Sequence, residues 1–211
     1  FGSVAALSAV LFVAFTRDEP PSPPAPDATA ARALVLDGLK RAVSSSRFRY
    51  TLAVAFIGLV IFNGVSTWVE GIIRPRGFEP SAAGTMGAVM IAGGLLGAVI
   101  IPALSDRSGR RQRYLYISLG GAIPGLLGIT FAPGLLLLLV SAFGLGFFLV
   151  SALPVVMQYA AEVTSPVPEG TSNGLIQLFG QGAVVYVYVM SAMKTTTGSF
   201  TPSLLLAAAL L

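Results

Sequence analysis

"PALSDRSGRR", residues 102–111, decides how the rest of this sequence is read. One aspartate (Asp106), three arginines (Arg107, Arg110, Arg111) and a glycine sit between two apolar runs, 83–104 and 114–132, that carry no charge at all. A charged, glycine-containing break between uncharged stretches of that length reads as a water-exposed turn joining two membrane helices. Composition agrees. The chain is 55% hydrophobic and only 10% charged, against about 25% charged in a soluble domain, and its mean hydropathy is +0.82.

Working outward with a ruler of about 20 apolar residues per crossing, the segments are 1–16, 50–73, 83–104, 114–132, 135–160, 172–193 and 202–211. The breaks fall at "RPRGFEPS", "SDRSGRRQR", "APG", "EVTSPVPEGTSNG" and "KTTTGSFTP". The chain opens at Phe1 and stops at Leu211 inside apolar runs, and Phe1–Phe15 lacks the charged start of a signal peptide. A piece of a longer membrane protein is expected.

Basic residues fall unevenly on the two sides. Ten (Arg17, Arg32, Lys40, Arg41, Arg47, Arg49, Arg107, Arg110, Arg111, Arg113) lie on one side and three (Arg74, Arg76, Lys194) on the other. The first side is therefore expected to be cytoplasmic. That asymmetry accounts for the net charge of +4 without a nucleic-acid partner. With no cysteine and no histidine, disulfides, thiol nucleophiles, the commonest metal ligand and the usual general base are absent. No catalytic residue, cofactor or metal is expected.

Residues 17–49 divide in two. "RDEPPSPPAP" is an extended, solvated spacer. "ATAARALVLDGLKRAVSSSR" places Val35, Leu39 and Val43 at i, i+4, i+8, and is either an amphipathic helix on the inner membrane surface or a mobile tether. Glycines recur inside the helices (Gly84, Gly87, Gly93, Gly94, Gly97; Gly120, Gly121, Gly125, Gly128), where small residues let backbones approach. "GGLLG" and "GLG" lie within apolar runs and are not phosphate loops.

Polar residues inside the apolar segments are costly and carry functional expectations. Asn63, Thr67 and Glu70 fall on one helical face, as do Asn173, Gln177 and Gln181. Each row either lines a central cavity or hydrogen-bonds neighbouring helices. Asn63, Thr67, Gln177 and above all Gln181 are the candidates for solute contact, and Glu70 is the candidate for proton coupling. Trp68 points away from its row and suits an interfacial aromatic belt. In the charged loop, Asp106 is expected to accept from a helix start and Arg107 to pair with Glu162. Thr171 or Ser172 is expected to cap the helix after Pro166 and Pro168. Asp106, Arg107, Arg110, Arg111 and Glu162 would thus form a cytoplasmic gate.

"PALSDRSGRR" resembles the loop motif G-x-x-x-D-R-x-G-[RK]-[RK] of the major facilitator superfamily, matching at Asp106, Arg107, Gly109, Arg110 and Arg111, with Pro102 in place of the first glycine. The proline-rich segment resembles the linker between the two six-helix halves. The resemblance implies an all-α membrane protein, the C-terminal six-helix bundle of a twelve-helix fold. Residues 1–16 would end the sixth helix, 17–49 form the linker, and 50–211 hold the seventh to a cut twelfth helix. "GFF", "LP" and "AAEVTSPVPEGTSNGL", read in order, resemble the tenth and eleventh helices of transporters related to the feline leukaemia virus subgroup C receptor, FLVCR. Members of that group carry choline, ethanolamine or, by older proposals, haem. In them a glutamine of the eleventh helix lines the cavity, which Gln181 matches, and an aromatic residue of the seventh helix stands where this chain has Asn63.

The expected function is transport of a small organic solute by alternating access, between this bundle and a missing N-terminal half. Short loops suggest a multi-pass protein of a prokaryotic plasma membrane. The alternatives are a transporter-shaped receptor or sensor, and a membrane-embedded lipid-modifying enzyme. The enzyme would need clustered acids or histidines at the membrane face, which Asp37 alone does not provide.

Overall fold

Each helix beyond the proline-rich spacer starts or stops where proline, glycine or charge interrupts an apolar run. The computed structural model describes Ala6, Ser8, Val10 and Phe12, all helical, and residues 35–211, with the side chains of 35–37 and 39 excepted. The remainder of the expected 1–16 helix end, the spacer over 17–34, and the side chains of Val35 and Leu39 lie outside the described residues.

Residues 33–211 form one unit. A short helix α1 (Val35–Ser44) leads into α2 (Ser46–Ile73), capped by the Ser45 hydroxyl accepting from the Phe48 N–H. A 3-10 turn (Arg74–Arg76) and Gly77 reverse the chain into α3 (Pro80–Ser108). Then follow α4 (Arg111–Phe131), α5 (Leu135–Thr164), α6 (Glu169–Gln181), α7 (Val184–Thr197) and α8 (Thr201–Leu210). Among the described residues, five stretches are long and apolar enough to cross a membrane: Ser46–Arg76, Pro80–Ser108, Arg111–Phe131, Leu135–Thr164 and Glu169–Thr197. The last is α6 and α7 together, so one crossing is a broken helix.

The motif glycine has a backbone task. Gly109 sits at φ +64°, ending α3 in the left-handed conformation with its N–H on the Ser105 carbonyl at 3.0 Å. A side chain there would be strained. Elsewhere glycine serves packing. A Cβ on Gly93 or Gly97 would come within 2.3 or 2.0 Å of the Phe143 or Phe147 carbonyl oxygen, and one on Gly146 within 1.9 Å of the Met90 oxygen. Helices α3 and α5 therefore touch backbone to backbone, each through its own glycines. Gly125 brings α4 against the α5 backbone in the same way, and Gly128 makes room for the Ser141 side chain. Gly84, Gly87 and Gly120 face open space, so only part of the expected glycine set makes close approaches.

Helix α1 docks through Gly38, against Val167, and through the fully buried Ala42. Val43, from the expected apolar row, is exposed. Trp68 is half-buried and has partners inside the bundle. Its indole N–H donates to the Val187 carbonyl at 3.1 Å and its ring packs on Phe200 at 5.3 Å, tying α2 to α7 and α8. Buried, the indole N–H needs an acceptor, and this one is supplied from within the bundle.

Candidate functional site

Helices α2 and α6 present their polar rows to each other. Asn63 and Thr67, one turn apart on α2, and Gln177 and Gln181, one turn apart on α6, line a single open depression of about 410 Å³. Leu59, Gly180, Ala183, Val184 and Val187 complete its lining. None of these nine residues is charged and none is aromatic. The Asn63 amide donates to the Leu59 carbonyl at 2.8 Å, which fixes its orientation and turns its carbonyl oxygen to acceptor duty. Gln177, Gln181 and Thr67 are exposed, with no protein partner among the described residues. An apolar crevice of about 170 Å³ between α2 and α5 adjoins the depression and shares Leu59 with it.

Gln181 stands at the break in its crossing. The Gly182 and Ala183 N–H groups turn to the Phe179 and Gly180 carbonyls (2.9 and 3.0 Å), and the Val185 and Tyr186 N–H groups to those of Gly182 and Ala183 (3.1 Å each). These i→i−3 bonds tighten the chain and separate α6 from α7. Broken helices in membrane proteins occur where backbone lines a cavity. Continuity of the apolar run hid the break. Its sequence signal is "GQG", a glycine on each side of Gln181.

Two members of the expected rows stand outside. Glu70, 52% exposed, pairs with Arg74 at 3.8 Å one turn on, at the end of α2. Asn173 does not line the depression, and its side-chain oxygen is buried without a partner.

At the opposite end of α2 the charged loop forms a cluster centred on Arg111. Its guanidinium, only 15% exposed, contacts the Asp106 carboxylate and donates through Nε to Glu162 at 3.0 Å. This corrects two expectations. Glu162 pairs with Arg111, not Arg107, and Asp106 accepts from a side chain rather than from backbone N–H groups. The reason is placement. Arg111 opens α4, which packs along α5 and so lies over the end of α5 that bears Glu162. Arg107 sits exposed in the last turn of α3. Arg110 precedes α4 and donates its N–H to the Ser108 hydroxyl. Beside the cluster, Gln112 donates to the Tyr159 hydroxyl.

The stretch 162–174 closes on itself here. Neither Thr171 nor Ser172 caps α6, which begins at Glu169 after Pro168 without a side-chain cap. Ser172 is buried and shares a 2.6 Å hydrogen bond with the Thr164 hydroxyl, clasping the end of α5 to the start of α6. Among the described residues, no group of three or more His, Cys, Asp or Glu side chains could hold a metal.

The sequence profile of the Major Facilitator Superfamily matches residues 1–188. An uncharacterized protein of Archaeoglobus fulgidus is 36% identical over 161 residues, 75% of this chain and 71% of that protein. Solute carrier family 49 member A3 of Danio rerio is 31% identical, over 93% of this chain and 42% of its own length. The choline/ethanolamine transporter flvcr2b of the same fish is 29% identical, over 99% and 45%. This chain thus spans less than half the length of the two fish transporters. A multi-pass helical bundle with this loop motif and these relatives is an integral membrane protein of a solute-transporting line, and the chain belongs to the major facilitator superfamily, among relatives of FLVCR.

Proposed function

We propose that this chain forms one wall of the solute pathway of an alternating-access transporter, and that the depression between α2 and the broken α6–α7 crossing is its binding surface. The carrying observation is the convergence of Asn63, Thr67, Gln177 and Gln181, from two distant parts of the chain, on one uncharged polar hollow beside a helix break. The Gln177 and Gln181 amides and the Thr67 hydroxyl, without protein partners among the described residues, and the Asn63 carbonyl oxygen offer donors and acceptors to a small hydrogen-bonding solute. The name of the fish relative flvcr2b points to choline and ethanolamine as solutes to try first. The lining has no aromatic face to hold a quaternary ammonium by cation–π attraction, so a solute with N–H or O–H donors, such as ethanolamine, suits this wall better than choline.

The Asp106–Arg111–Glu162 cluster would act as the gate at the basic, cytoplasmic side, holding the ends of α3, α4 and α5 together in one state and parting in the other. Glu70 remains a candidate for coupling from the opposite side. We place the protein in a prokaryotic plasma membrane, on its short loops and its archaeal relative.

The test is uptake of labelled ethanolamine and choline by the whole protein in proteoliposomes. Gln181→Ala is expected to lower uptake about tenfold or more, the loss of a hydrogen bond or two, at unchanged expression and thermal stability. Unchanged uptake removes Gln181 from the site. Solute binding without counterflow of any kind would instead favour a receptor or sensor.

A further inference from the structure

At the end of the bundle away from the Arg111 cluster, two cations share a corner that no carboxylate lines among the described residues. A partly open pocket of about 60 Å³ lies where the 3-10 turn after α2, the end of α4 and the α7–α8 turn meet. Arg76 and Lys194 line it, with Thr130, Ser199, Phe200 and Thr201 among the others. The Arg76 guanidinium donates through Nη1 to the Thr130 and Ala132 carbonyls (3.2 and 3.3 Å), capping α4. Its Nε and Nη2 are buried and meet no acceptor. The Lys194 ammonium lies 4.9 Å from the centre of the Phe200 ring. The ion pairs among the described residues join Glu70 to Arg74, and Asp106 and Glu162 to Arg111, so none neutralises either cation.

Buried N–H groups are almost always paired, and an orphaned one calls for an explanation such as a bound ion. A partly buried cation without a counter-charge is costly, and two in one pocket repel each other as well. The hydroxyls add donors. Ser199 and Thr201 lie 2.9 Å apart and the Thr201 N–H already donates to Ser199 Oγ, so one hydroxyl proton of the pair is left to point elsewhere. The start of α8 at Thr201 contributes the positive end of its dipole to the same corner. The pocket has room for a small anion: about 60 Å³ is several times the roughly 10–15 Å³ of cavity that one water needs.

We propose that this corner is a small-anion site, filled by chloride, that joins the turn after α2 to the α7–α8 turn. The same chemistry could be met by a phospholipid phosphate, and the experiment separates the two. The whole protein, purified in detergent and delipidated, is melted in sodium chloride and in sodium gluconate at equal ionic strength, gluconate being a bulky organic anion of diffuse hydration. Chloride is expected to raise the melting temperature saturably by about 3 °C or more at tenfold excess over its dissociation constant. Lys194→Gln leaves the Arg76 cap on α4 in place and is expected to abolish the chloride-dependent rise. Lys40→Gln, at the other end of the bundle, should keep it. Arg76→Lys, which retains charge but loses the orphaned Nε and Nη2 donors, should weaken it. Equal melting in chloride and gluconate overturns the proposal, as does a full chloride response in Lys194→Gln. A rise produced by phosphatidylglycerol nanodiscs and not by chloride also overturns it, in favour of a lipid phosphate.

Discussion

The α3–α5 seam and the α2–α6 face are both helix contacts within one bundle, built on opposite terms. In the seam, Gly93, Gly97 and Gly146 bring backbones so close that a single methyl has nowhere to go. On the other face, amide and hydroxyl side chains stand apart around an open hollow, and the crossing that carries two of them is broken. Where glycine removes side chains, van der Waals contact between backbones fixes the geometry without any hydrophobic drive. Where polar side chains are left unpaired at a helix break, stability is forgone, and a ligand is the natural partner. The seam is the frame, and the hollow is where a solute could act.

That division can be broken at either end. The largest effect is expected in the seam. Gly97→Leu would force α3 off α5, where no flexible side chain can yield, and should cost about 3 kcal/mol or more, seen as a fall of about 6–12 °C in melting temperature or loss of a monodisperse peak. Gly84→Ala and Gly120→Ala, facing open space, should be neutral or slightly stabilising. Equal losses at all three would mean the seam is not special.

On the hollow's side the order of effects reverses. Gln181→Ala and Asn63→Ala should leave the melting temperature within about 1–2 °C, since neither is a core residue, while uptake falls. A large stability loss from Gln181→Ala would assign the amide to the frame.

Smaller still is the coupling at the charged end. In a double-mutant cycle, Arg111→Ala and Glu162→Ala should be non-additive by about 0.5 kcal/mol or more. Arg107→Ala with Glu162→Ala should add within about 0.3–0.5 kcal/mol. The reverse pattern would restore the Arg107 pairing.

Much of this was legible in the residues. The crossings follow from apolar run lengths, and the two polar rows from spacing alone, because one helix turn fixes which side chains share a face. What spacing cannot give is the facing partner. Arg107 and Arg111 are equally basic, and Arg107 is the nearer to Asp106 in sequence. Only the packing of α4 along α5 decides that Arg111 meets Glu162. Ser172 has the chemistry of a cap, yet burial against Thr164 claims its hydroxyl. Trp68 has the composition of a belt residue, and the Val187 carbonyl turns it inward. The break at Gly182 was hidden because hydropathy averages across a distortion that costs only a few backbone bonds.

The central claim, that the hollow at the helix break takes the solute, can be read without measuring transport. The sequence has no cysteine, so Val184→Cys adds a thiol unique to this chain, on the wall of the depression and beside Gln181. In the whole protein, with any other thiols replaced, its labelling rate by a membrane-impermeant thiol reagent is measured with and without saturating solute. The account predicts solute protection of several-fold at Val184→Cys and none at Thr196→Cys, an exposed position near the end of α7 and outside the hollow. Equal labelling of Val184→Cys with and without a solute that the protein demonstrably binds would contradict it.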